Sequence, residues 1–216
     1  MVVAGSAEFI NQAPLWAANL EMQAISEFWS GKAVTGADFT VETLQKTRQQ
    51  ASIMHMATHA EFLRGSPRNS YLQFFDRRLR LNEVPELGWY APQVELVTLS
   101  ACQTAMGNLD AELGFAGFAL QAGAKSALAS LWKVSDEATA GLMVNFYQHL
   151  DQQATKAATL RQAQLAMIHG QVYTDNGQLV LPDQVFPLPS QLMTIRRQDF
   201  SHPFYWAAFT MVGSPW

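Results

Sequence analysis

A chain of 216 residues, 49% hydrophobic and 15% charged, has the composition of a globular domain large enough to bury a core without covalent staples. Its formal net charge of −4 includes no dense Lys/Arg block, which argues against a nucleic-acid partner, and its single cysteine excludes an intrachain disulfide framework. The N-terminus lacks the basic stretch of a signal peptide, and the most apolar stretch, 113–132, is broken by Gln121 and Lys125, so neither export nor a membrane partner is expected and a reducing, cytoplasmic setting is predicted.

Short β-branched runs alternate with helical patterns along the chain, which predicts βα units and a mainly parallel sheet. The first strand is expected at 1–4. A strand that starts on the first residue suggests a further region upstream. Residues 15–29 carry Leu20, Ala24, Ile25 and Phe28 at helical spacing, with Gly31 as the expected C-cap. Thr40 opens a second helix, with Thr43 at capping-box spacing but without the acid. A buried strand at 52–58 ends at His59. A two-stranded pattern follows, 71–75 against 79–81, with 76–78 as its turn. The strongest strand signal is 94–101 (VELVTLSA), and Cys102 follows it directly.

Beyond Cys102 the pattern predicts a helix at 112–122, a short strand at 126–132 and amphipathic helices at 136–150 and 155–169. Residues 170–199 hold Pro and Gln without sustained periodicity and are expected to form a long surface loop. Residues 204–212 (FYWAAFTMV) read as an apolar closing strand, with Phe204, Tyr205, Trp206 and Phe209 as core side chains.

Ligands of parallel α/β sheets bind beyond the carboxyl ends of the strands. Two reactive side chains fall at such ends here, His59 and Cys102. They lie 43 residues apart in sequence, enough for one crossover between neighbouring strands. A thiol is only partly ionised at neutral pH, so an imidazole that takes its proton makes it a nucleophile. The competing reading is a small buried hydrophobe, a common fate of free cysteine. The polar Gln103 and Thr104 that follow favour chemistry, and from residue pattern alone the two readings stand level.

His55 and His59 also invite a metal reading. On a strand, positions four apart lie about 13 Å from each other, too far for one ion, and the Glu of a zinc-protease HExxH motif is missing. No metal and no cofactor are expected, and His55 is predicted to be a packed core histidine. His149, His169 and His202 fall at element ends, where capping or surface roles are the default.

The segments HMATHAEF (55–62) and LSACQT (99–104) resemble the His and Cys boxes of CHAT domains. These are caspase-like (clan CD) peptidases named for their association with TPR repeats. The resemblance continues in order through GFAGF (114–118), AGAKS (122–126), ASLWKVSDEAT (129–139), LRQAQ (160–164) and HPFYWAAF (202–209). It implies a single α/β domain over 1–216, a three-layer caspase-like sandwich whose mainly parallel sheet of about six strands is flanked by helices. It further implies that this domain is the C-terminal part of a longer chain, with a TPR-type or other partner-sensing region upstream.

The activity implied is that of a cysteine endopeptidase acting on a protein or peptide substrate through a thioester acyl-enzyme. Cys102 would attack the scissile carbonyl, and His59 would protonate the leaving amine and then activate water. Backbone N–H groups of Cys102 and of the residue after the histidine would hold the oxyanion. That residue is Ala60, where many family sequences have Gly. The family's specificity loop falls on 132–136, so Trp132 and Asp136 are candidate pocket residues, Asp136 as an acidic wall for a basic P1 side chain. The simpler reading of Ser135 or Asp136 is the N-cap of the helix that follows. Two other functions fit the same residues: a CHAT-like interaction or regulatory pseudo-peptidase module, and another cysteine hydrolase or acyl transferase.

Overall fold

The computed structural model describes residues 1–9, 12–61, 68–101, 109–193 and 195–216, and for 101 and 109–114 it describes the backbone alone. In chain order the first half runs β1 (Val2–Gly5), α1 (Trp16–Phe28), β2 (Lys32–Thr35), α2 (Val41–Arg48), β3 (Ile53–Thr58), β4 (Ala60–Glu61), β5 (Tyr71–Gln73), β6 (Arg78–Arg80) and β7 (Leu96–Ala101). The second half runs α3 (Leu109–Gln121), β8 (Ser126–Ser130), α4 (Asp136–His149), α5 (Lys156–Ile168), β9 (Tyr173–Asp175), β10 (Gln178–Val180), β11 (Val185–Pro187), β12 (Gln198–Asp199) and β13 (Phe209–Gly213).

The central sheet has six strands in the order β13-β8-β7-β3-β1-β2. All neighbours pair in parallel except β13, which runs antiparallel to β8 at one edge. The inner strands are near-continuous apolar runs because both of their faces are covered. On one face Val3, Ala57, Leu96 and Leu128 pack with Met22 and Ile25 of α1, Phe146 and Tyr147 of α4 and Met167 of α5. On the other, Ala4, Met54, Met56, Val97 and Leu99 pack with Leu44 of α2, Phe115 and Ala119 of α3 and the buried Trp89. The result is a three-layer α/β sandwich with a mainly parallel six-stranded sheet, compatible with the caspase-like architecture implied by the resemblance.

Several local expectations hold. Thr40 caps α2 by accepting from the Thr43 N–H at 3.1 Å, and Ser135 caps α4 by accepting from the Ala138 N–H at 3.3 Å. Others are corrected. The described residues of 170–199 are not one long loop: they hold a four-stranded antiparallel sheet, β11-β10-β9-β12, with Val172 and Leu179 buried in the core beside α4. Gly31 does not cap α1, whose C-cap is the extended Trp29. A Cβ on Gly31 would stand 2.2 Å from the Met1 carbonyl oxygen, so close approach to the first strand explains the glycine. Arg78 belongs to β6 and not to the turn before it. The closing strand begins only at Phe209, because Pro203–Tyr205 forms a 3-10 turn capped by the His202 imidazole.

Candidate active site

Strands β1, β3, β7 and β8 share one direction, so their carboxyl ends meet along one edge of the sheet. The ladder between β3 and β7 runs from Ile53 opposite Leu96 to Thr58 opposite Ala101. His59 is the next residue after Thr58. Cys102 is the next after Ala101 and lies outside the described residues, as do Gln103 and Thr104.

His59 is 6% exposed, and its Nε2 lies 2.7 Å from the Ala13 carbonyl oxygen. A carbonyl only accepts, so Nε2 carries the proton and Nδ1 carries the lone pair. Nδ1 is buried and has no hydrogen-bond partner among the described residues. The Phe9 ring meets the imidazole edge-on, with centroids 5.2 Å apart. Burial holds the His59 pKa below 6.5; the bond to Ala13 opposes that shift and the nearby Lys133 ammonium adds to it. The imidazole is therefore neutral at pH 7, the form that can accept a proton.

Ala13 belongs to the connection from β1 to α1, and this connection is anchored at both ends. The Leu15 N–H donates to the Ala7 carbonyl at 2.8 Å. The Ala17 N–H, in the first turn of α1, donates to Asp136 Oδ2 at 2.7 Å. Asp136 thus stands at the start of α4 and spends a carboxylate oxygen on the N-terminus of a second helix, where negative charge is favoured.

Beneath the strand ends lies a buried polar cluster. Glu21 of α1 is 1% exposed; its Oε2 accepts from the Ser100 hydroxyl at 3.0 Å, and its Oε1 is 2.9 Å from Nε2 of the fully buried His55. Tyr147 of α4 donates its hydroxyl to Thr98 Oγ1 at 2.7 Å and meets the His55 ring edge-on at 5.2 Å. Burial raises the Tyr147 pKa, so it stays protonated. Residues 55 and 57 of β3 and 96, 98 and 100 of β7 face this cluster and helices α1 and α4. The alternation carries His59 onto that same face.

Ala60 opens β4. The Gln73 N–H donates to the His59 carbonyl at 2.8 Å, so His59 and Gln73 form a hydrogen-bonded pair across the antiparallel ladder. Ala60, opposite Leu72, is then a non-bonded position whose N–H points away from β5. Its φ is not positive, so its methyl group costs no backbone strain.

After β8, Trp132, Lys133, Val134 and Ser135 join Phe204 and Tyr205 around an open, mainly apolar cavity of about 630 Å³. The Trp132 indole N–H donates to the Phe204 carbonyl at 3.0 Å. Phe204 and Tyr205 therefore line a cavity, whereas Phe209 is a core residue as expected. Trp132 is among the lining residues and Asp136 is not. Among the described residues no cluster of three metal-ligating side chains occurs, and no helix is long and apolar enough to cross a membrane.

Two contributors have no counterpart in the sequence expectations, the Ala13 carbonyl and Glu21; Lys133 lies in the 132–136 loop, where the sequence expectations give it no role of its own. A backbone carbonyl leaves no side-chain signature. Glu21 did leave one, since it stands four residues from both Ala17 and Ile25, on the apolar stripe of α1.

No curated protein matches the chain in sequence. The CHAT domain family model matches residues 2–214, nearly the whole chain, and the protein belongs to this family of caspase-like fold.

Proposed function

We propose that this CHAT domain is a cysteine endopeptidase in which Cys102 is the nucleophile and His59 the base. The observation that carries the reading is the ladder that ends at Thr58 and Ala101, one residue before each of them, together with a His59 tautomer whose Nδ1 is left to accept a proton. Nδ1 takes the thiol proton, and the thiolate attacks the scissile carbonyl carbon. The N–H groups of Ala60 and Cys102 hold the oxyanion that forms. The imidazolium returns its proton to the amine as the C–N bond breaks, leaving a thioester. His59 then deprotonates a water that attacks the thioester, the C–S bond breaks and the thiol is restored.

Trp132, with Val134, Phe204 and Tyr205, offers an apolar wall to a substrate side chain. Asp136 supports the site through α1, whose first turn it holds. A single unpaired thiol used as nucleophile suits a reducing, cytoplasmic compartment. A protein substrate and an upstream TPR-type sensing domain complete the proposal.

Digestion of a peptide library with wild type beside Cys102→Ala tests this. Cleavage by wild type alone is expected. No cleavage, with Cys102 left unmodified by a thiol-reactive peptide electrophile, overturns the reading and favours the regulatory pseudo-peptidase module.

A further inference from the structure

The strand that carries His59 runs on into a small antiparallel sheet, β4-β5-β6, whose two faces differ sharply. One row across it, Ala60, Leu72 and Leu79, is buried in the core. The alternate rows point the other way: Glu61, Tyr71 and Arg80 in one, Gln73 and Arg78 in the next. His59 precedes Glu61 by two residues, so this outer face continues the face on which the imidazole lies.

Glu61, Arg68, Asn69, Tyr71, Arg78 and Arg80 line a pocket of about 340 Å³, three arginines with one glutamate. The Glu61 carboxylate is engaged by the Tyr71 hydroxyl. The Arg78 guanidinium lies 4.2 Å from the centroid of the Tyr71 ring, which stacks it in place. Arg77, by contrast, points off this face and pairs with Glu83 at 3.0 Å. In a chain of net charge −4 this face is therefore a local excess of positive charge.

The face is also wired to the base. Arg78 Nε–H donates to Gln73 Oε1 at 3.4 Å, Gln12 Nε2–H donates to the same oxygen at 3.3 Å, and Ala13, the next residue, holds His59.

We propose that Arg78 and Arg80 form a subsite for carboxylate side chains of the substrate, Asp or Glu, a few residues from the scissile bond; the proposal rests on the peptidase reading above. Arginine matches carboxylate geometry with paired N–H donors, and both of these side chains are exposed. Glu61 stands about 7 Å along the strand from His59 at 3.3 Å per residue, so an extended substrate meets the pocket about two to four residues from the cleaved bond.

Two measurements test this together. In the library digestion, cleaved peptides are expected to be enriched in Asp or Glu about two to four residues from the cut. Arg78→Gln/Arg80→Gln should lower kcat/KM about tenfold more for an acidic peptide than for a matched neutral peptide. Arg77→Gln should change neither, and melting curves confirm that the variants fold. Cleavage by wild type without an acidic preference overturns the subsite and leaves the peptidase reading standing. If wild type cleaves nothing, fluorescence anisotropy with labelled acidic and neutral peptides decides the subsite separately. Tighter acidic binding that is lost in the double variant supports it, and equal affinities in wild type overturn it.

Discussion

His59 Nε2 lies 2.7 Å from the Ala13 carbonyl oxygen, and this contact leaves Nδ1 as the ring nitrogen able to accept a proton. With the proton fixed on Nε2, only Nδ1 can accept one. On the peptidase reading proposed above, His59 acts as base while its ring is neutral, and burial holds its pKa below 6.5. Peptidase activity should therefore persist below pH 6.5 and fall only as the pH drops through that lowered pKa. A pH profile of kcat/KM reads this directly, and an acid limb above pH 6.5 would sink the assignment. His59→Ala should cost about 10²–10⁴ in rate.

Lys133 contributes to that lowered pKa from the loop after β8. Its ammonium disfavours a second positive charge on the imidazole. Lys133→Gln should move the His59 titration toward higher pH, and the acid limb of activity with it. An NMR titration of the ring protons measures the shift without any substrate. A titration that moves to lower pH contradicts the geometry described here.

Asp136 links stability to pH in the opposite sense. Burial pushes its carboxyl up to about 7 from 3.8; the Ala17 N–H opposes this, and the charges of Glu21 and Glu137 add to it. A carboxyl whose folded pKa exceeds its unfolded one contributes most below the unfolded value, and the contribution is lost as the pH rises toward about 7. The full difference corresponds to about 4 kcal/mol, and solvent reaching the partly exposed group reduces it to about 1–3 kcal/mol. Asp136→Asn should thus gain on wild type in melting temperature between about pH 5 and about pH 8. Equal differences at both pH values would refute the buried-carboxyl account.

The sandwich was legible in the sequence because its inner strands and its helices carry long, periodic apolar patterns. The run 94–101 and the stripe of α1 could hardly form anything else. Shorter elements left too little pattern. β2 buries only Val34, and the strands of the second sheet are two or three residues long in a stretch broken by Pro182, Pro187 and Pro189. Pro203 sets a 3-10 turn inside an apolar run that reads as strand. The position of His59 was legible from the end of its strand. Its tautomer was not, because a main-chain oxygen 46 residues away in sequence decides it. The outer face of β4-β5-β6 emerges only when three separate segments come into register.

Glu21 is a buried stability determinant beneath the site. It is 1% exposed and joins Ser100, two residues before Cys102, to His55, four residues before His59. Glu21→Ala would strand a buried hydroxyl and a buried imidazole nitrogen without replacing their partner. That should cost about 2–4 kcal/mol, or roughly 5–12 °C of melting temperature in a chain of this size. The same cluster ties α1 to β3 and β7, so loosening it also frees the Ala13 connection from the imidazole. Activity should then fall by more than the unfolded fraction explains. Ser100→Ala in the Glu21→Ala background should cost far less than in wild type, since the shared bond is already gone. A thermal-melt cycle over the four proteins measures that coupling, and strictly additive losses would show that Glu21 and Ser100 act independently.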